Sequence, residues 1–133
     1  MGDRVRCGWF SFNVLEIGYK SQLGDGTLAK RPKDGFLLVR LQATSSAGET
    51  VSIPSLRLET ANGELLPELE DASGLDGWFG LLRRVDPGAT ETGWLAFDAA
   101  PGVYGLRLSD GVLDDEHTSM VNLPFQVGFT IKQ

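Results

Sequence analysis

The sequence predicts an all-β domain: an antiparallel sandwich of about seven strands with one short helical crossover, spanning residues 1–133 as a single unit. Three observations carry this. Apolar residues recur at every second position in several separate segments, the period of a strand with one buried and one wet face. Turn signals fall between those segments, and 17 glycines with 6 prolines suit tight turns better than long helices. Helical spacing shows only once, and briefly.

The segment 9–19 opens with Phe10, Phe12 and Val14 inward. Its apolar set then moves by one residue to Leu15, Ile17 and Tyr19, which predicts a β-bulge near Val14-Leu15. In 35–44, Leu37, Val39, Leu41 and Ala43 form the inward set, with Arg40 and Gln42 facing out. The segment 51–60 pairs Val51 and Ile53 with Leu56 and Leu58 across a phase slip at Pro54, and Asn62-Gly63 follows as a tight hairpin turn. In 91–98, Leu95 and Phe97 alternate with Trp94 and Ala96. In 103–109, Tyr104, Leu106 and Leu108 alternate with Gly105, Arg107 and Ser109. Asp86-Pro87-Gly88 and Ala100-Pro101-Gly102 punctuate these strands. The last strand, 121–131, alternates from Val121 through Leu123, Phe125, Val127 and Phe129 to Ile131; Pro124 places it at a sheet edge or a bulge. Between Leu65 and Arg84 the period changes. Leu75, Trp78, Phe79 and Leu82 fall on one face of a helix, held to one or two turns by Gly74, Gly77 and Gly80.

The formal net charge of −6 repels phosphate backbones and anionic membrane surfaces, so no nucleic-acid partner is expected. The basic run Lys30-Arg31-Pro32-Lys33 is short, ends at Asp34, and reads as a solvated loop. No window approaches the ~20 apolar residues of a membrane span. The single Cys7 excludes an internal disulfide and reads as a small apolar residue. The start Met1-Gly2-Asp3-Arg4 lacks the apolar core of a signal peptide, so the expectation is a cytoplasmic chain or one trimmed from a longer protein.

No cofactor and no catalytic machinery are expected. Gly24-Asp25-Gly26-Thr27-Leu28-Ala29 has the spacing of a dinucleotide fingerprint, but that chemistry needs a helix start at the pyrophosphate, and Lys30-Arg31-Pro32 follows instead. His117 is the sole histidine. A triad of Ser119, His117 and Asp114 or Asp115 would crowd into one loop, with no separate element to hold the nucleophile. The carboxylates of Asp110, Asp114, Asp115 and Glu116, with His117, supply weak metal candidates that lack the ligand spacing of a calcium loop. The partner-binding candidates are Trp78, Phe79, Arg83 and Arg84, where large apolar area adjoins charge; burial at one end of the core is the competing reading for the two aromatics.

Gly2-Asp3-Arg4-Val5, Phe10-x-Phe12-x-Val14, the Leu23-Gly24-Asp25-Gly26 loop, Lys33-Asp34-Gly35-Phe36-Leu37-Leu38-Val39 and the Asn62-Gly63 turn come in order along the chain. Pro87-Gly88-x-Thr90-x-Thr92-Gly93-Trp94-Leu95-x-Phe97 and Pro101-Gly102-x-x-x-Leu106-x-Leu108 complete the series. Together they resemble the telokin-like, immunoglobulin-fold domain of unknown function found in bacterial lipoproteins and cell-envelope proteins. The resemblance implies an immunoglobulin-like sandwich displayed in the cell envelope or outside the cell, and it brings no catalytic residues. The expected function is then a non-catalytic accessory or binding module of the envelope, its partner another protein or an envelope component. Two other classes stay open: an inhibitor presenting a loop to an enzyme, and a divalent-ion-binding domain using the 110–117 loop.

Overall fold

A computed structural model describes residues 4–23, 35–80, 82–100, 102–111 and 118–123. In chain order its strands are β1 (Arg4–Cys7), β2 (Phe10–Lys20), β3 (Phe36–Ser45), β4 (Val51–Ser52), β5 (Arg57–Thr60), β6 (Leu65–Pro67), β7 (Arg84–Val85), β8 (Thr90–Asp98), β9 (Tyr104–Ser109) and β10 (Thr118–Leu123). One sheet runs β1-β2-β3-β8 and a second β10-β9-β5-β6, while β4 and β7 form a small two-stranded ladder; all these pairings are antiparallel. The domain is a β-sandwich.

The predicted alternation holds where a strand has one wet face. Phe10, Phe12, Val14, Ile17 and Tyr19 of β2 meet Leu37, Val39, Leu41 and Ala43 of β3, with Leu95 and Phe97 of β8 and Leu58, Leu106 and Leu108 of the second sheet, in one core. The predicted bulge is present: the β2–β3 register shifts between Val14 and Glu16, which moves the inward set from even to odd positions. A two-residue loop, Gly8-Trp9, joins Cys7 to Phe10, and Gly8 takes a positive φ of 57° at the position where a type II′ hairpin demands glycine. The Asn62-Gly63 turn closes β5 onto β6 with Gly63 at φ 86° and the Thr60 hydroxyl accepting from the Asn62 and Glu64 amides.

The strand count exceeds the expected seven. The 51–60 segment splits at Pro54, and β1, β6 and β7 are too short to show alternation. In the last strand Leu123 is buried in the expected phase, and residues 124–131 lie outside the described residues.

The expected helix over Leu75, Trp78, Phe79 and Leu82 is not formed; no helix occurs among the described residues. Two isolated turns stand in its place, Leu75 N–H to Ala72 C=O at 2.9 Å and Trp78 N–H to Leu75 C=O at 3.2 Å. Gly77 (φ 78°) and Gly80 (φ 77°) then leave the right-handed region, which no continuing helix permits.

Candidate functional site

The segment from Glu68 to Arg83 has no hydrogen-bonded ladder of its own, so its backbone polar groups need partners elsewhere. They find them on the free edge of β8. Leu69 N–H donates to Ala96 C=O at 2.9 Å, Phe79 N–H to Trp94 C=O at 3.0 Å, and Trp94 N–H to Gly77 C=O at 2.9 Å. The crossover thus seals an edge that would otherwise offer unpaired groups to another chain. It also lies on the sheet's outer face. There Ala72 and Leu75 join Leu23, Phe36, Leu38 and Ala96 in a second buried cluster, flanked by half-buried Leu69, Trp78 and Trp94.

Phe79 points the other way, toward the main core. Its ring occupies the room left by Gly93, where an added Cβ would come within 2.7 Å of the ring. Trp94 lies against Gly77 in the same manner, with an added Cβ there only 3.3 Å from the indole. The Phe79 ring therefore requires Gly93, whereas Gly77 is held to glycine chiefly by its φ of 78°.

Arg83, with 4% of its surface exposed, fastens the end of the crossover. Its guanidinium donates to both carboxylate oxygens of Glu68 (2.7 and 2.6 Å), to the Ile53 carbonyl (3.3 Å) and to the Pro54 carbonyl. Glu68 in turn accepts from the Leu56 amide at 2.6 Å, and Arg83 C=O accepts from the Ile53 amide at 2.9 Å. The forked geometry is the strongest form an arginine–carboxylate pair takes. The guanidinium also stands 5.9 Å from the Phe79 ring centroid.

Of the four partner-binding candidates, the structure leaves Arg84 exposed, Trp78 and Phe79 half-buried, and Arg83 buried on internal partners. Leu82, grouped by its spacing with Leu75, Trp78 and Phe79 on one face of a helix, is 86% exposed while Leu75 is buried. Sequence spacing hides this because no helix forms; the signal present is the pair of residues flanking an arginine that is anchored from the other side.

Asp110 is buried, while Asp114, Asp115, Glu116 and His117 lie outside the described residues. The same holds for the 24–30 glycine-rich run and for Lys30 to Lys33. Among the described residues no group of three or more His, Cys, Asp or Glu side chains could hold a metal ion. Ser119 sits on β10 opposite Leu108. Cys7 is buried in the main core, and its thiol is pushed up to about 11, first by burial and then by the Asp110 carboxylate. A thiol held protonated in this way is a packing group at neutral pH. No helix is long and apolar enough to cross a membrane among the described residues.

No protein family's sequence pattern matches the chain, and no curated protein sequence does. Solved structures do match in fold. The YjhA protein of Bacillus subtilis superposes with a TM-score of 0.73 at 15% identity, over 93% of this chain and 98% of that one. A putative lipoprotein of Bacillus subtilis, YcdA, gives 0.72 at 8% identity, over 97% of this chain but 40% of its own. The secreted protein MPT63 of Mycobacterium tuberculosis gives 0.59 at 16% identity, over 86% and 82%. At these identities the likeness is one of fold.

Proposed function

We propose that this chain is a non-catalytic accessory or binding module of the bacterial cell envelope, with strand connections of the immunoglobulin, telokin-like type. The envelope placement draws on the structural neighbours, one a putative lipoprotein and one a secreted protein. Two features support the immunoglobulin type. The strands β2-β3-β8 face β10-β9-β5-β6, in the manner of the A-B-E and G-F-C-C′ sheets. In addition, the Tyr104 hydroxyl at the start of β9 donates to the Ala100 carbonyl four residues upstream, as the tyrosine corner of such domains does.

One observation carries the binding role: Leu82 stands 86% exposed beside exposed Arg84, on backbone pinned by the buried Arg83 between them. An apolar side chain next to an arginine on a pre-ordered segment binds with little ordering cost. Co-sedimentation of the purified domain with washed bacterial envelope particles tests this. The double variant Leu82→Ser/Arg84→Glu is expected to reduce the pelleted fraction about tenfold with an unchanged denaturation midpoint. If the variant pellets as the parent does, or the parent does not pellet at all, the reading is wrong.

A further inference from the structure

We propose that the open half of the first sheet's outer face binds a glycan strand bearing carboxylate groups. The inference rests on the envelope-module reading and gives that module a ligand, on a surface separate from Leu82 and Arg84.

The register places the side chains of this half in rows. Arg6, Ser11, Thr44 and Thr90 lie opposite one another across the four strands, and Arg4, Asn13, Gln42 and Thr92 make the next row. Each row spans three strand spacings, about 14 Å, and successive rows on one face are about 7 Å apart. The Thr44 and Thr90 hydroxyls meet at 2.8 Å, so these outward side chains share one surface. A third row, Glu16, Arg40 and Trp94, borders the crossover, where the half-buried indole rises against Gly77.

The chemistry of those rows is that of a sugar-binding surface. Serine and threonine hydroxyls and asparagine and glutamine amides each both donate and accept, so together they match a ligand made of hydroxyls, which does the same. Trp94 adds an apolar ring at the border, the kind of surface on which the C–H face of a sugar packs.

Charge selects the class of sugar. The chain carries −6 overall, yet the rows of this half present, among the described residues, Arg4, Arg6 and Arg40 against one carboxylate, Glu16. Glu16 pairs with Arg40 at 3.1 Å, and Arg4 and Arg6 form no ion pair among the described residues. Two guanidinium groups at the β1 end of rows of hydroxyls and amides fit a carboxylate carried on a polyhydroxylated chain.

Affinity electrophoresis of the domain in gels containing alginate, dextran or polyglutamate tests this. Alginate supplies sugar and carboxylate, dextran sugar alone, and polyglutamate carboxylate alone. Alginate is expected to retard the protein most, dextran weakly, and polyglutamate not at all. The double variants Gln42→Ala/Thr92→Ala and Arg4→Glu/Arg6→Glu are each expected to weaken alginate binding about tenfold with unchanged melting, while Leu82→Ser/Arg84→Glu binds alginate as the parent does. Absent retardation, equal retardation by alginate and polyglutamate, or full binding by the Gln42→Ala/Thr92→Ala variant each overturns the glycan assignment. Pelleting with envelope particles in the absence of alginate binding would remove the glycan and leave the envelope module. Alginate binding without pelleting would remove the envelope reading instead.

Discussion

On β3, Phe36 and Leu38 point outward and are buried, whereas Arg40, Gln42 and Thr44 point outward on the same face and are exposed or half-exposed. The strand geometry is the same in both stretches. What differs is the crossover, which lays Ala72 and Leu75 over the first pair and stops at Trp94, level with Arg40. A sheet face is thus not buried or wet by its own nature; the covering segment decides, and the composition of each half follows. The covered half is apolar and its burial stabilises the fold. The open half is polar, with Thr44 paired to Thr90 and Glu16 to Arg40 across its strands, and it adds no apolar burial.

The largest expected effect comes from unfastening the cover. Glu68→Ala leaves the Arg83 guanidinium buried with its charge uncompensated and removes the acceptor of the Leu56 amide. Removing one member of a buried ion pair typically costs about 3–5 kcal/mol. Chemical denaturation should show a loss of that size. A loss under ~1 kcal/mol would mean that the pair behaves as an exposed one and that the crossover is held by its contacts with β8 alone.

The comparison sharpens when equivalent positions are truncated in each half. Leu38→Ala opens a cavity beneath Leu75 and Ala72 and should cost about 2–5 kcal/mol. Gln42→Ala, on the same face of the same strand, should stay within about 0.5 kcal/mol of the parent. Equal costs at the two positions would show that the crossover contributes no real core.

The main core was legible in the sequence because each of its strands keeps period two, and even the irregularity at Val14-Leu15 is written as a parity shift. The second core was legible in part. Phe36-Leu37-Leu38-Val39 is a continuous apolar run, the mark of a strand covered on both faces, but alternation with Arg40 and Gln42 places only its odd members inward. The crossover was not legible. Its spacing of three, one and three imitates a helix, and nothing in that spacing reveals that Gly77 and Gly80 take positive φ or that the amides turn to β8. The Arg83–Glu68 pair joins two irregular positions 15 residues apart, and no periodicity announces such a pairing. From the sequence Arg83 therefore reads as a partner-binding residue, and Leu82 as one member of a helical face.

The smallest expected effect lies at the border of the two halves, where Glu16 and Arg40 form the open-face ion pair. Both side chains are about half exposed, at 52% and 45%. Water screens such a pair, and holding two long side chains in one geometry has an entropic cost, so coupling energies of exposed pairs fall between about 0.2 and 1 kcal/mol. A double-mutant cycle with Glu16→Gln and Arg40→Gln should give a value in that range, shrinking further as salt is raised. It contrasts with the Arg83–Glu68 pair, where the same two chemical groups sit at 2% and 5% exposure. If the Glu16–Arg40 coupling instead exceeds ~2 kcal/mol and ignores salt, the pair is shielded from water. The crossover's cover would then extend past Trp94, and the row containing Arg40 would belong to the buried half of the face rather than to the open one.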